Sequence, residues 1–278
     1  MSRLYCRISC QRSYPVVYFD SHCHLDFEAF DQDRTELLEQ CAEQQVTSLF
    51  IPTITQANWA KLLGLLRLIP GQNTGATCVG GLGLHPYFLA QHMEQHLLEL
   101  DSLLAQQHPG IVAVGEIGLD YMLKELDVDC QVHYFVEQVK LAEKHSLPVV
   151  MHARKSFDQL TKILQDHPVT KTGIIHAFAG SSQQAHRLIE MGYKLGFGGA
   201  VTFDRATKLR SLVKTLPVES LVLETDAPNM PPAFAPDERN SPLNIPKIAS
   251  IIADIRGVAI EELAEACAQN SREAFGLL

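Results

Sequence analysis

At 278 residues, with 46% hydrophobic and 20% charged residues and a formal net charge of −9, the chain has the make-up of a globular enzyme with a sizeable core rather than of a disordered or fibrous protein. The acidic balance argues against broad wrapping of nucleic acid through a basic face, yet it leaves room for a local pocket in which bound cations offset the negative potential. No uninterrupted apolar run approaches the ~20 residues of a bilayer-crossing helix, so the sequence predicts no membrane partner and a cytoplasmic address.

Residues 1–15 carry Arg3, Arg7 and Arg12 without a secretory apolar stretch, and they read as a flexible N-terminal extension ahead of a single domain over 16–278. A strand over 16–20 is followed by a helix over 33–44 and a strand over 47–52. The helix predicted over 58–69 sets Trp59, Leu62, Leu63, Leu66 and Ile69 at amphipathic spacing. Next come a strand over 77–83, a helix over 94–107, a strand over 111–117, and a helix over 130–144 with an apolar face of Val132, Phe135, Val136 and Val139. Strands over 147–152, 173–176, 194–198 and 221–226 alternate with helices over 156–166, 182–190 and 205–216, and closing helices run on from 245.

Several of these strands are nearly all apolar, as in Ile111-Val112-Ala113-Val114 and Leu221-Val222-Leu223, the pattern of a parallel sheet covered on both faces. Eight βα units of this kind predict an α/β fold, a TIM (β/α)8 barrel, with a doubly wound open sheet as the alternative. The long irregular stretch is the proline-rich 227–242, a length that in a compact domain often serves function. Cys6, Cys10, Cys23, Cys41, Cys78, Cys130 and Cys267 are odd in number and lack C-x-x-C spacing, so reduced thiols are expected.

The ends of the predicted strands share one chemistry. His22 and His24 follow the first, His85 the third, Glu116 lies in the fourth, His152 and His176 end the fifth and sixth, and Glu224 and Asp226 end the eighth. Residues two apart on an extended chain face the same way, so His22 and His24 can reach one point. In a barrel these ends meet on the face that carries active sites. Singly, each strand-end histidine is more often a hydrogen-bonded core residue; five such coincidences together point to a metal centre.

The expected partition puts His22, His24 and Asp226 on one divalent ion and His152 and His176 on a second, with Glu116 spanning both. Glu116 and Asp226 are also the candidate catalytic carboxylates. Imidazole suits zinc or similar transition metals, while carboxylates also accept magnesium or manganese. Two ions roughly 3.5–4 Å apart can acidify a bound water and stabilise both oxygens of a displacement at phosphorus. The predicted reaction is hydrolysis. His92, His96, His108, His133, His145, His167 and His186 fall within or beside predicted helices and receive no role.

The runs Phe19-Asp20-Ser21-His22-Cys23-His24-Leu25-Asp26, Gly83-Leu84-His85-Pro86, Val114-Gly115-Glu116-Ile117-Gly118-Leu119-Asp120, His152-Ala153-Arg154, Ile175-His176-Ala177-Phe178 and Leu223-Glu224-Thr225-Asp226-Ala227-Pro228 resemble, in order, the motifs of the TatD family of metal-dependent deoxyribonucleases. The resemblance implies an amidohydrolase-like TIM barrel, a binuclear centre of magnesium, manganese or zinc, and hydrolysis of DNA phosphodiesters by a metal-activated water. It carries over the ligands His22, His24, Glu116, His152, His176 and Asp226. Related barrels place a carbamylated lysine on the fourth strand, where this chain has Glu116. The resemblance also implies that His85 faces the substrate.

Arg154 is a candidate for pairing with a phosphate. Glu224 is expected to orient a ligand histidine or the water. Gly196, Gly198 and Gly199 either admit the substrate's close approach or relieve crowding at a strand end. The alternative function keeps the centre and changes the substrate to an ester or amide, such as an aminoacyl ester.

Overall fold

In a computed structural model, which describes residues 16–72 and 74–278, the predicted alternation becomes eight parallel strands in sequential order. The expected extension over 1–15 lies outside the described residues. The strands are β1 Tyr18–Asp20, β2 Val46–Pro52, β3 Thr77–Leu82, β4 Ile111–Asp120, β5 Val149–Arg154, β6 Gly173–Ile175, β7 Lys194–Phe197 and β8 Leu221–Leu223. Helices α1 Arg34–Glu43, α2 Gln56–Gln72, α3 Glu94–Leu104, α4 Val128–Lys144, α5 Phe157–Asp166, α6 Ser182–Glu190 and α7 Thr207–Thr215 each follow one strand, and α8 Ile245–Arg256 and α9 Ile260–Ala274 follow β8. No helix among the described residues is long and apolar enough to cross a membrane.

Consecutive strands pair in parallel from Tyr18 opposite Val46 round to Phe197 opposite Leu223. The seam between β8 and β1 is closed by backbone N–H groups. Ser21 donates to the Leu223 carbonyl at 2.9 Å, Asp226 to that of His22 at 2.8 Å, and His24 to that of Ala227 at 2.8 Å. An open doubly wound sheet would leave its outer strands apart, so the closed seam decides for the TIM barrel.

Asp20, wholly buried, fastens this seam. One carboxyl oxygen accepts from the amides of His22 at 3.2 Å and Thr225 at 3.0 Å, and the other from the Thr225 hydroxyl at 2.6 Å. Burial pushes its carboxyl up to about 7 in spite of these hydrogen bonds.

Phe19, Phe50, Val112, Ala113, Val150, Ile174 and Val222 form one apolar cluster with Phe275. These residues come from six different strands, which only the barrel's lumen brings together. The Phe275 ring, just beyond α9, stacks on Phe19 at 5.7 Å and Phe50 at 4.4 Å between centroids. The larger cluster lies between sheet and helices.

Strand ends depart from the expected bounds. β8 stops at Leu223 and β6 at Ile175, so Glu224, Asp226 and His176 lie in the turns beyond, while β4 runs on to Asp120. Ala177 and Asp226 adopt left-handed φ of 44° and 59°, a conformation costly for non-glycine residues that surrounding contacts must maintain. The buried face of α4 is also less apolar than expected: Gln131 and Gln138 are buried with Phe135 and Val139, whereas Val132 and Val136 are only partly covered.

Candidate metal centre

Glu116 is the hub, 2% exposed on β4. Its Oε2 faces His22 Nε2 at 3.2 Å and His24 Nε2 at 3.7 Å, and its Oε1 faces His85 Nε2 at 3.0 Å, His176 Nε2 at 3.1 Å and His152 Nδ1 at 3.5 Å. Asp226 Oδ1 completes the first half, 3.3 Å from His24 Nε2 and 3.7 Å from His22 Nε2. Thus all six expected ligands converge, across elements from β1 to the turn after β8. Burial alone would raise the Glu116 carboxyl, but His85, His176, His22 and His152 around it hold it well below the usual carboxylate range. Asp226 is likewise held low, against burial, first by its hydrogen bond to His24 and then by the nearby imidazoles.

Two observations fit this cluster to divalent cations. Buried polar atoms are normally hydrogen-bonded, yet both ring nitrogens of His22, wholly buried, lack a hydrogen-bond partner, as does His24 Nδ1. Donor atoms of His22, His24 and Glu116 lie within 4.8 Å of one another, a reach one ion can bridge. His176 stands between the halves. It faces Glu116 Oε1, stacks on His22 at 3.9 Å between centroids, and groups with His22 and Asp226 as well.

Hydrogen bonds distinguish the two histidines beside Glu116 Oε1. His152 Nε2 lies 3.1 Å from Asp120 Oδ2, an arrangement that fixes the proton on Nε2 and leaves the Nδ1 lone pair toward Glu116. His85 is the reverse: its Nδ1 accepts from the Tyr87 amide at 3.0 Å, so the network assigns the proton to Nε2. It therefore presents an N–H to Glu116 where a metal ligand needs a lone pair. Burial drives the His85 imidazole down to about 4, which keeps it neutral near pH 7.

Glu224 faces His176 Nδ1 at 3.7 Å and accepts from the Ala177 amide at 2.6 Å. The strand-end glycines make room for it. A Cβ at Gly196 would lie 2.0 Å from Glu224 Oε2, and one at Gly198 2.7 Å from the Glu224 carbonyl, so relief of crowding accounts for both. Exposed Arg154 lines the mouth of the cavity.

Sequence reasoning assigned no part to Asp120, although period-2 alternation puts it on the Glu116 face of β4. It also missed Gln131, which bonds the Asp120 backbone, and Gln138, which bonds the Leu84 backbone. His92, given no role, has its Nε2 2.9 Å from the His85 carbonyl. These partners act on backbone groups, which residue spacing does not reveal.

The centre opens into a cavity of about 680 Å³ whose wall includes Phe27, Tyr87, Phe88 and Met230. The chain matches the family model for TatD related DNase over residues 19–276. It is 35% identical over 260 residues to an Escherichia coli K12 protein described as the uncharacterized metal-dependent hydrolase YjjV, covering 94% of this chain and 98% of that one. The crystal structure of the E. coli K12 TatD homolog YjjV superposes with a TM-score of 0.88 at 35% identity, covering 93% and 98% of the two chains. A 3'-5' ssDNA/RNA exonuclease TatD from Erwinia billingiae is 29% identical over 265 residues, 93% of this chain and 99% of that one.

Proposed function

The chain belongs to the TatD related DNase family of metal-dependent hydrolases, and from that premise we propose that it hydrolyses phosphodiester bonds at the ends of single-stranded nucleic acid, DNA foremost, at a centre for two divalent cations. The observation that carries this reading is the division of Glu116, with Oε2 turned to His22 and His24 and Oε1 to His152 and His176. Ions held there would supply Lewis acidity, which acidifies water and draws charge from a phosphoryl oxygen. Imidazole-rich donors favour zinc or manganese over magnesium.

In this reading His22, His24 and Asp226 hold one ion, His152 and His176 the other, and Glu116 both. Asp226 also takes the proton released by the attacking water. His85 is a hydrogen-bond donor from Nε2 to a phosphoryl oxygen, and Arg154 pairs with the phosphate. Glu224 and Asp120 orient His176 and His152. A cytoplasmic location belongs to the same reading, in keeping with Cys23, Cys41, Cys78, Cys130 and Cys267 all being free thiols.

The test is a screen of the purified protein with Mn²⁺, Zn²⁺ or Mg²⁺ against single-stranded DNA, RNA, bis(p-nitrophenyl) phosphate and an aminoacyl ester, with Glu116→Ala as control. Metal-dependent release of nucleotides that the control lacks is expected. Turnover of the acyl ester alone would overturn the phosphodiester reading in favour of the ester hydrolase.

A further inference from the structure

Met230 has a hollow on each side. Toward the metal centre it lines the main cavity; on its other flank it borders a second hollow of about 380 Å³ with Phe203, Arg205 and Pro231. The lip between them is held in place. Asn240 Nδ2 donates to the carbonyls of Asn229 at 2.7 Å and Met230 at 3.2 Å, and a Cβ at Gly199 would come within 2.5 Å of the Met230 carbonyl. The Met230 side chain itself is 39% exposed.

The second hollow combines two recognition groups. The Arg205 guanidinium lies 4.8 Å from the centroid of the Phe203 ring. Arginine ion pairs among the described residues involve Arg34, Arg187, Arg210 and Arg239, and exposed Arg205 enters none. An aromatic ring with an unpaired planar cation over it, walled by Met230 and Pro231, is the combination that stacks a base and holds its phosphate. In a chain of net charge −9, an unpaired arginine beside an aromatic ring and next to the reactive centre points to an anionic occupant.

Resting on the phosphodiesterase reading above, we propose that this hollow is a second nucleotide subsite. It takes the nucleotide next to the one held in the main cavity, with its base on Phe203 or the Arg205 guanidinium and its phosphate on Arg205. Stacking of this kind requires an unpaired base, so the occupant is a single strand.

The experiment uses the full chain with Mn²⁺ and a fluorescein-labelled phosphorothioate octathymidylate, which resists cleavage, read by fluorescence anisotropy. Arg205→Ala and Phe203→Ala should each weaken binding by about 5- to 100-fold, and Arg205→Ala should flatten the log–log salt slope by about 0.7. Hydrolysis of bis(p-nitrophenyl) phosphate, which carries no second nucleotide, should be unchanged. Should Phe203→Ala not fold, Arg205→Ala, altered at an exposed side chain, carries the test. Native-like binding by the variants, no binding by the native chain, or an equal loss of small-ester hydrolysis would overturn the subsite. If the native chain leaves the small ester and natural DNA intact, the hydrolytic reading fails while anisotropy still decides the subsite.

Discussion

Two neighbouring histidines that face one carboxylate oxygen differ by the placement of a single proton, and that difference separates their roles. His152 donates its Nε2 N–H to Asp120 and turns a lone pair inward, whereas His85 is protonated on the nitrogen that faces Glu116. Replacing His85 by Ala should therefore lower kcat with the metal content unchanged, as measured by elemental analysis of the purified protein. Glu116→Ala should instead reduce bound metal and abolish the Mn²⁺-induced rise in Tm. In the native chain that rise corresponds to about 2.7 kcal/mol per bound ion at a free ion concentration of 100 Kd. Asp120→Asn should weaken metal affinity by roughly 10- to 100-fold, the range typical of partners that orient a ligand histidine; a Mn²⁺ titration followed by activity measures it. An unaltered affinity would leave Asp120 as a strand-end hydrogen bonder only.

At the scale of elements, α4 governs two turns of the site through side chains that an apolar pattern hides. Gln138 accepts from the Leu84 amide at 2.7 Å and donates to the Leu84 carbonyl at 3.1 Å, holding the residue that precedes His85. Gln131 treats the Asp120 backbone the same way, at 2.9 and 3.3 Å. Gln138→Leu keeps a side chain of similar bulk but strands a buried N–H and C=O. It should cost about 2–4 kcal/mol of stability in urea unfolding and reduce kcat through a misplaced His85. The helix was legible from its apolar period, and so were Phe135 and Val139. The glutamines were not, because burial of an amide depends on backbone groups in a different loop. The convergence of the residues proposed to hold metal was legible, since their types and strand-end positions carry the chemistry, while His92 and Asp20, which act on neighbours' atoms, were not.

For the whole molecule, the demand that His24 and Asp226 share an ion made barrel closure predictable before any strand was paired, and their 3.3 Å separation meets it. The acidic surface has its own consequence. A protein of net charge −9 cannot gather a polyanion through a general field, so the nucleic-acid binding proposed above would have to come from cations held at the centre and a few local arginines. Each phosphate neutralised on a single strand contributes about −0.7 to the slope of log K against log salt. With Arg154 and Arg205 as the two contacts, the slope should be about −1.4 at fixed Mn²⁺. Anisotropy between about 50 and 200 mM KCl measures it. A slope steeper than about −4 would require some six phosphate contacts and would reveal a basic track elsewhere on the surface. A slope near −1.4 that falls by half in Arg205→Ala would tie recognition to the mouth of the barrel, where single-stranded ends can enter and duplex DNA gains no wider grip.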